Sequence, residues 1–193
     1  MNVKSFPVGW LATNCYVVSC EETKEAVVID PGMESEGETE LILDYIKKNG
    51  FKVKYIINTH GHPDHVVGND TLKEATGASI LIHEKTIEHL NADRKLRDGD
   101  LLQVGNFKLV VLHTPGHTPD GISLLADNAV FSGDTLFAGS VGRTDFLGGS
   151  YTELMRSIKN KLMCLPDSFT VYCGHGPATT IGDEKRYNPF LKK

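Results

Sequence analysis

Four apolar, strand-like runs in this chain each lead to a histidine or an aspartate, and that pattern limits the fold more than any other feature. Tyr55-Ile56-Ile57-Asn58 leads to His60. Leu109-Val110-Val111-Leu112, followed by a Thr-Pro-Gly turn, leads to His117. Val130-Phe131-Ser132-Gly133 leads to Asp134, and Val171-Tyr172-Cys173-Gly174 leads to His175. Strand ends are rigid and open onto loops, so such ends can converge on one rim and hold a constellation in place. Imidazole together with carboxylate suits zinc, iron or manganese.

The densest part is Thr59-His60-Gly61-His62-Pro63-Asp64-His65. His60 and His62 lie two apart on a segment leaving a strand, so both rings can face one metal. Pro63 fixes the local backbone. Asp64 and His65 open a helix, where they can serve a second metal. A zincin HExxH differs, because its two histidines lie four apart on a helix. With His117, Asp134 and His175 the candidate ligands number seven. That is too many for one tetrahedral zinc. It is a natural number for two metals sharing a carboxylate bridge, with Asp134 as the candidate bridge. Such a cluster behind a buried strand has few structural excuses, because buried charge without a partner is costly. His83 and His89 read as helix-surface residues, and His113 as packing at a strand end.

The chain has 193 residues with 40% hydrophobic content, which suits one compact domain spanning 1–193. The formal net charge of −5 carries no basic stripe, which argues against a nucleic-acid partner. No apolar stretch approaches the length of a bilayer span, and the N-terminus lacks a signal-peptide h-region. A cytoplasmic protein with no membrane partner is expected. Cys15, Cys20, Cys164 and Cys173 form no CxxC pair, and read as free thiols in a reducing compartment.

Strands are predicted over Asn2–Phe6, Asn14–Cys20, Ala26–Asp30, Val53–Asn58, Ser79–Ile82, Phe107–Leu112, Ile122–Leu125, Ala129–Phe131 and Phe169–Tyr172. Helices are predicted over Glu36–Asn49, His65–Thr76, Lys85–Leu90 and Tyr151–Leu162, with a closing turn in Asp183–Phe190. Strands followed by strand–helix alternation, in each half, predict two sheets covered by helices. The glycine-rich stretch Gly139–Gly149 is the longest irregular piece, and long loops in a compact domain are often functional.

Thr59-His60-Gly61-His62-Pro63-Asp64-His65, with His117, Asp134 and His175 downstream, resembles the metallo-β-lactamase superfamily. The match runs nearly end to end, from Val28-Ile29-Asp30-Pro31-Gly32 to Thr180-Ile181-Gly182 and Asn188-Pro189-Phe190. The resemblance implies an α+β fold, an αβ/βα four-layer sandwich with two mixed sheets flanked by helices and the metals at one edge. It implies His60, His62 and His117 at the first metal, Asp64, His65 and His175 at the second, and Asp134 bridging. Gly133-Asp134-Thr135-Leu136-Phe137 and Tyr172-Cys173-Gly174-His175 resemble glyoxalase II, the hydrolase of S-2-hydroxyacylglutathione. Gly142-Arg143-Thr144-Asp145-Phe146 resembles short glyoxalase II-like proteins and also persulfide dioxygenases.

By that resemblance Arg143 matches a basic position that contacts the glutathione peptide. Pro177 stands where glyoxalase II has a substrate-binding tyrosine, and the C-terminal glutathione-binding helical domain of that family is expected to be absent. Asp120 stands where a small residue is common. The expected function is metal-dependent hydrolysis of a small-molecule thioester. Two divalent ions, zinc before iron or manganese, would hold a bridging hydroxide as nucleophile, since no side-chain nucleophile accompanies the ligand set. Asp64 would ligate one metal and orient that hydroxide, making it the candidate catalytic residue. The alternatives are a mononuclear iron persulfide dioxygenase and a metallo-hydrolase of another ester or lactam.

Overall fold

The computed structural model of the chain describes residues 1–86 and 90–192. The first half contains β1 (Asn2–Val8), β2 (Thr13–Ser19), β3 (Glu25–Ile29), α1 (Glu36–Lys48), β4 (Lys52–Ile57), α2 (Pro63–Val66), α3 (Asn69–Thr76), β5 (Ser79–His83) and β6 (Arg94–Leu96). Its six strands form one sheet in sequence order, antiparallel from β1 to β3 and parallel from β3 to β6.

The second half contains β7 (Leu101–Val104), β8 (Phe107–His113), β9 (Ile122–Ala126), β10 (Ala129–Gly133), β11 (Leu136–Phe137), β12 (Ser140–Val141) and α4 (Tyr151–Ser157). A π-helical turn (Ile158–Leu162), β13 (Thr170–Cys173), β14 (Thr179–Thr180) and α5 (Ile181–Tyr187) follow. The second sheet runs β14-β13-β10-β9-β8-β7, with β10 and β13 parallel and its other pairs antiparallel. Strands β11 and β12 make a separate small ribbon.

Two-residue alternation builds the layers. In β3, Val27 and Ile29 face the second sheet, while Ala26 and Val28 face the α1 side. In β4 and β5, Ile57 and Leu81 face the inter-sheet core, and Ile56, Ile80 and Ile82 face outward. The second sheet answers with Leu102, Leu109, Val111, Leu124 and Phe131 inside, and with Val130 and Val171 against Leu154, Ile158 and Ile181. The result is the expected αβ/βα sandwich of two mixed sheets.

Helix α1 begins at a capping box, in which Ser35 accepts from the Glu38 amide and Glu38 accepts from the Ser35 amide. That cap contributes about 1 kcal/mol. Burying Ile42 and Ile46 contributes about 1.5–3 kcal/mol each, so packing outweighs the cap.

Some boundaries differ from expectation. The helix expected over His65–Thr76 is two helices, α2 and α3, parted at Gly68. The Gly68 amide donates to Pro31 O at 2.8 Å, and a Cβ there would lie 2.6 Å from that oxygen. His83 is not on a helix surface: it ends β5, is buried, and stacks on His113 at 4.2 Å. The helix expected over Lys85–Leu90 and the reading of His89 fall on residues 87–89, outside the described residues. Strands β6, β7, β11, β12 and β14 were not expected. Among the described residues no helix is long and apolar enough to cross a membrane.

Candidate metal centre

The end of β4 sets the site. Thr59 follows Asn58, and its amide and hydroxyl both donate to Asp30, at 2.7 Å each. Asp30 closes β3 with a left-handed φ of 52°, a conformation that aspartate tolerates better than most residues. Its second oxygen also lies 3.0 Å from His65 Nδ1. One buried carboxylate therefore ties β3, the β4 exit and α2 together.

The second sheet arrives from the other side. Asn14 and Tyr16 of β2 donate to the Cys173 carbonyl at 3.0 and 2.6 Å, and the Asn14 amide donates to Gly174 O at 2.7 Å. This stitching brings His175 beside Asp64. Gly174 is required there, because a Cβ would collide with Oδ1 of Asp134.

The seven histidines and aspartates converge as two triads with one residue between them. In the first, His62 Nδ1 lies 3.0 Å from both His60 Nε2 and His117 Nε2. In the second, His65 Nε2, His175 Nε2 and Asp64 Oδ2 are mutually 3.3–3.4 Å apart. Asp134 lies between them, with Oδ1 3.5 Å from His65, and Oδ2 3.5 Å from His117 and 3.6 Å from His175.

These donors fit metals. Bonds of about 2.0–2.1 Å at tetrahedral angles set donor–donor edges of about 3.3 Å, close to the separations seen. Among the described residues Asp134 Oδ1 is buried without a hydrogen-bond partner, which is costly unless a cation takes it. The groups His60–His62–His117, His60–His65–Asp134 and Asp64–His65–His175 could each hold an ion.

The electrostatics of the two triads differ. Burial and the neighbouring imidazoles hold His60 and His62 below the usual histidine range, in the neutral form that binds metal. Burial opposes a charge on His65, yet Asp30, Asp134 and Asp64 outweigh it and raise the group to about 9. The hydrogen bond to Asp64 raises His175. Burial alone would raise Asp64, but His175, His65 and Thr13 together draw it well below the carboxylate range.

Four of the donors, His60, Asp64, His117 and His175, also have partners outside the ligand set. Thr59 Oγ1 meets His60 Nδ1 at 3.1 Å, and Thr13 Oγ1 donates to Asp64 Oδ2 at 2.8 Å. The Arg143 carbonyl lies 2.7 Å from His117 Nδ1, and the Leu11 carbonyl 3.2 Å from His175 Nδ1. Outer partners of this kind orient metal-binding histidines and raise their basicity. Sequence reasoning missed Asp30, Thr13 and the Leu11 carbonyl as parts of the site. Asp30 carried a signal, a carboxylate ending an apolar strand, but it read only as the start of a turn.

Arg143, the expected substrate contact, points along its own loop and pairs with Asp145. Asp120 is buried and accepts from the Thr86 hydroxyl at 2.8 Å. The same oxygen lies beside Gly61, where a Cβ would come within 3.2 Å of it. The Cys173 thiol is buried, and burial pushes it up to about 12.

Comparison with known proteins gives the family and the fold. The family model of the Metallo-beta-lactamase superfamily matches residues 8–175. Hydroxyacylglutathione hydrolase GloC of Haemophilus influenzae is 38% identical, over 99% of this chain and 98% of its own. The crystal structure of BLEG-1, a B3 metallo-beta-lactamase, superposes with a TM-score of 0.91 at 34% identity, covering 100% of both chains. ETHE1 from Myxococcus xanthus gives a TM-score of 0.90 at 34% identity, covering 98% of this chain and 84% of its own.

Proposed function

The chain belongs to the metallo-beta-lactamase superfamily, and from that premise we propose that it is a metal-dependent thioester hydrolase. It would take an S-2-hydroxyacylglutathione, or a related thiol ester, to a hydroxy acid and a thiol. The observation that carries this reading is the pair of donor triads sharing Asp134, with its unpartnered buried oxygen. The relative named hydroxyacylglutathione hydrolase supports the substrate class.

In this reading His60, His62 and His117 hold one divalent ion, Asp64, His65 and His175 hold the other, and Asp134 serves both. Zinc is the first choice, with iron or manganese as alternatives. Bound there, such ions would polarise the thioester carbonyl and bring the pKa of water to about 7.

The chain's own groups do the positioning. Thr13 holds Asp64 Oδ2 among the donors of the second triad, and Asp64 would also orient the attacking water. Asp30 sets a negative charge 3.0 Å behind His65 Nδ1, and the Arg143 carbonyl fixes the ring plane of His117. The Cys173 thiol is no nucleophile, because burial keeps it protonated. The departing thiolate needs little help from an acid, since thiols ionise near pKa 8.5.

The test is hydrolysis of S-lactoylglutathione by the metal-loaded protein, with and without chelator, beside the Asp134→Ala variant. Loss of activity on chelation and in the variant supports the proposal. Undiminished turnover in either sinks it. The second reading, an iron persulfide dioxygenase, draws on the Gly142–Phe146 loop and the same ligands. Oxygen consumption with a persulfide substrate separates the two. The likeness to BLEG-1 adds a β-lactam to the substrate panel.

A further inference from the structure

The guanidinium of Arg143 is engaged twice over. Its Nε and Nη2 donate to the two oxygens of Asp145, each at 2.7 Å. Its Cζ lies 4.3 Å from the centre of the Phe146 ring, a cation–π distance. The Arg143–Asp145 pair is neutral and presents no net charge to a substrate carboxylate. Phe146 in turn meets His62 edge-on at 5.1 Å and His117 at 5.8 Å. It is 41% exposed, and its neighbour Leu147 stands entirely in solvent.

The other triad has an apolar neighbour too. The Leu11 carbonyl meets His175, while the side chains of Trp10 and Leu11 are 85% and 51% exposed. Their loop is pinned to the start of α1, where the Gly9 amide donates to Glu38 at 2.8 Å. Scattered exposed apolar residues need no explanation, but large ones on loops beside a site mark binding surface.

We infer that Arg143 acts on Phe146 rather than on substrate. The Arg143–Asp145 pair is a strut that holds Phe146 against His62 and His117 as an apolar wall, and the substrate carries an uncharged, apolar group where it crosses that rim. The inference rests on the thioesterase reading for the reaction and names the substrate class within it. Arg143 and Asp145 are thereby positioning residues, and Phe146 is the specificity contact.

Trp10 is the chain's single tryptophan, so its fluorescence reads the rim without catalysis. The probes are two non-hydrolysable thioethers added to metal-loaded protein, S-hexyl-N-acetylcysteamine and S-methylglutathione. The hexyl compound is expected to blue-shift the emission and to bind at least tenfold more tightly. Phe146→Ala should weaken hexyl binding about tenfold. Arg143→Gln and Asp145→Asn should each weaken it about threefold, and the double variant no further. With S-hexanoyl-N-acetylcysteamine as substrate, the same variants should raise KM more than they lower kcat. Tighter binding of the glutathione compound, lost in Arg143→Gln and strengthened in Asp145→Asn, would overturn the inference, because a freed guanidinium would then be reading a carboxylate. Equal binding of both probes would overturn it as well. Selective hexyl binding without hydrolysis of any thioester would uphold the wall while defeating the proposed reaction.

Discussion

Asp30 and His65 meet at 3.0 Å beneath the candidate metal centre, and the same carboxylate oxygen accepts from the Thr59 hydroxyl at 2.7 Å. The contact places the aspartate behind the ring, with Nε2 of His65 left facing Asp64, Asp134 and His175. Both groups are almost fully buried, so neither has water to replace a lost partner. Asp30→Asn keeps the shape and removes the charge. Outer-partner changes of this kind typically cost 10–100-fold in metal affinity. Competition against a chelator of known affinity should show a loss in that range, and an unchanged affinity would show that Asp30 is only a fold residue.

Gly174 passes so close to Asp134 that any Cβ would strike Oδ1. Gly174→Ala is therefore expected to displace the shared carboxylate while sparing the His60–His62–His117 triad. Elemental analysis of reconstituted variant should show about half the metal of wild type. Full metal content with wild-type affinity would mean that the backbone yields and that the close approach is unimportant.

Glu184 of α5 is buried and accepts from the Gly139 amide, Thr179 Oγ1 and Asn188 Nδ2. It anchors the β11–β12 ribbon, which carries Phe137 toward His175 at 6.3 Å. Glu184→Ala strands the buried Asn188 amide and removes the acceptor of the less buried Gly139 and Thr179 donors, at a cost of about 1–3 kcal/mol. Denaturant unfolding should show that loss, with Glu184→Gln retaining part of the stability. An alanine variant as stable as wild type would contradict the anchoring role.

His83 is stacked under His113, and burial, followed by the neighbouring imidazole, lowers it to about 4. The unfolded chain protonates this group near 6.5 while the folded chain refuses the proton. The unfolded state thus binds more protons as pH falls from about 6.5 to about 4, and stability is lost across that window. Allowing for solvent screening, the loss is about 1–2 kcal/mol. Unfolding of wild type and His83→Phe at pH 7 and pH 5 should diverge by that amount, wild type losing more. Parallel losses would remove His83 from the account.

The layer order was legible because runs such as Ala26–Ile29 are apolar at every position, and a strand of that kind must be covered on both faces. The seven donors were legible because each follows an apolar run, and strand ends share a rim. Short edge strands such as Arg94–Leu96 and Thr179–Thr180 carry too few apolar residues to show a period. His83 was misread because one histidine beside a turn looks the same exposed or stacked, and only the distant His113 decides it. Asp30, Thr13 and Leu11 serve the site through contacts remote in sequence, and Leu11 through its carbonyl, which no side-chain pattern reveals. Arg143 was visible as a residue, but its engagement by Asp145 depends on the turn of the loop between them.

The most direct test of the central claim is a metal titration of apo-protein read by thioester hydrolysis. Zinc is added in steps to the chelator-stripped chain while S-lactoylglutathione and S-hexanoyl-N-acetylcysteamine turnover are followed. The two-triad centre predicts no turnover without metal, a rise that saturates near two equivalents, and no such rise in Asp134→Ala. Saturation at one equivalent, or no hydrolysis of either thioester at any loading, would contradict it.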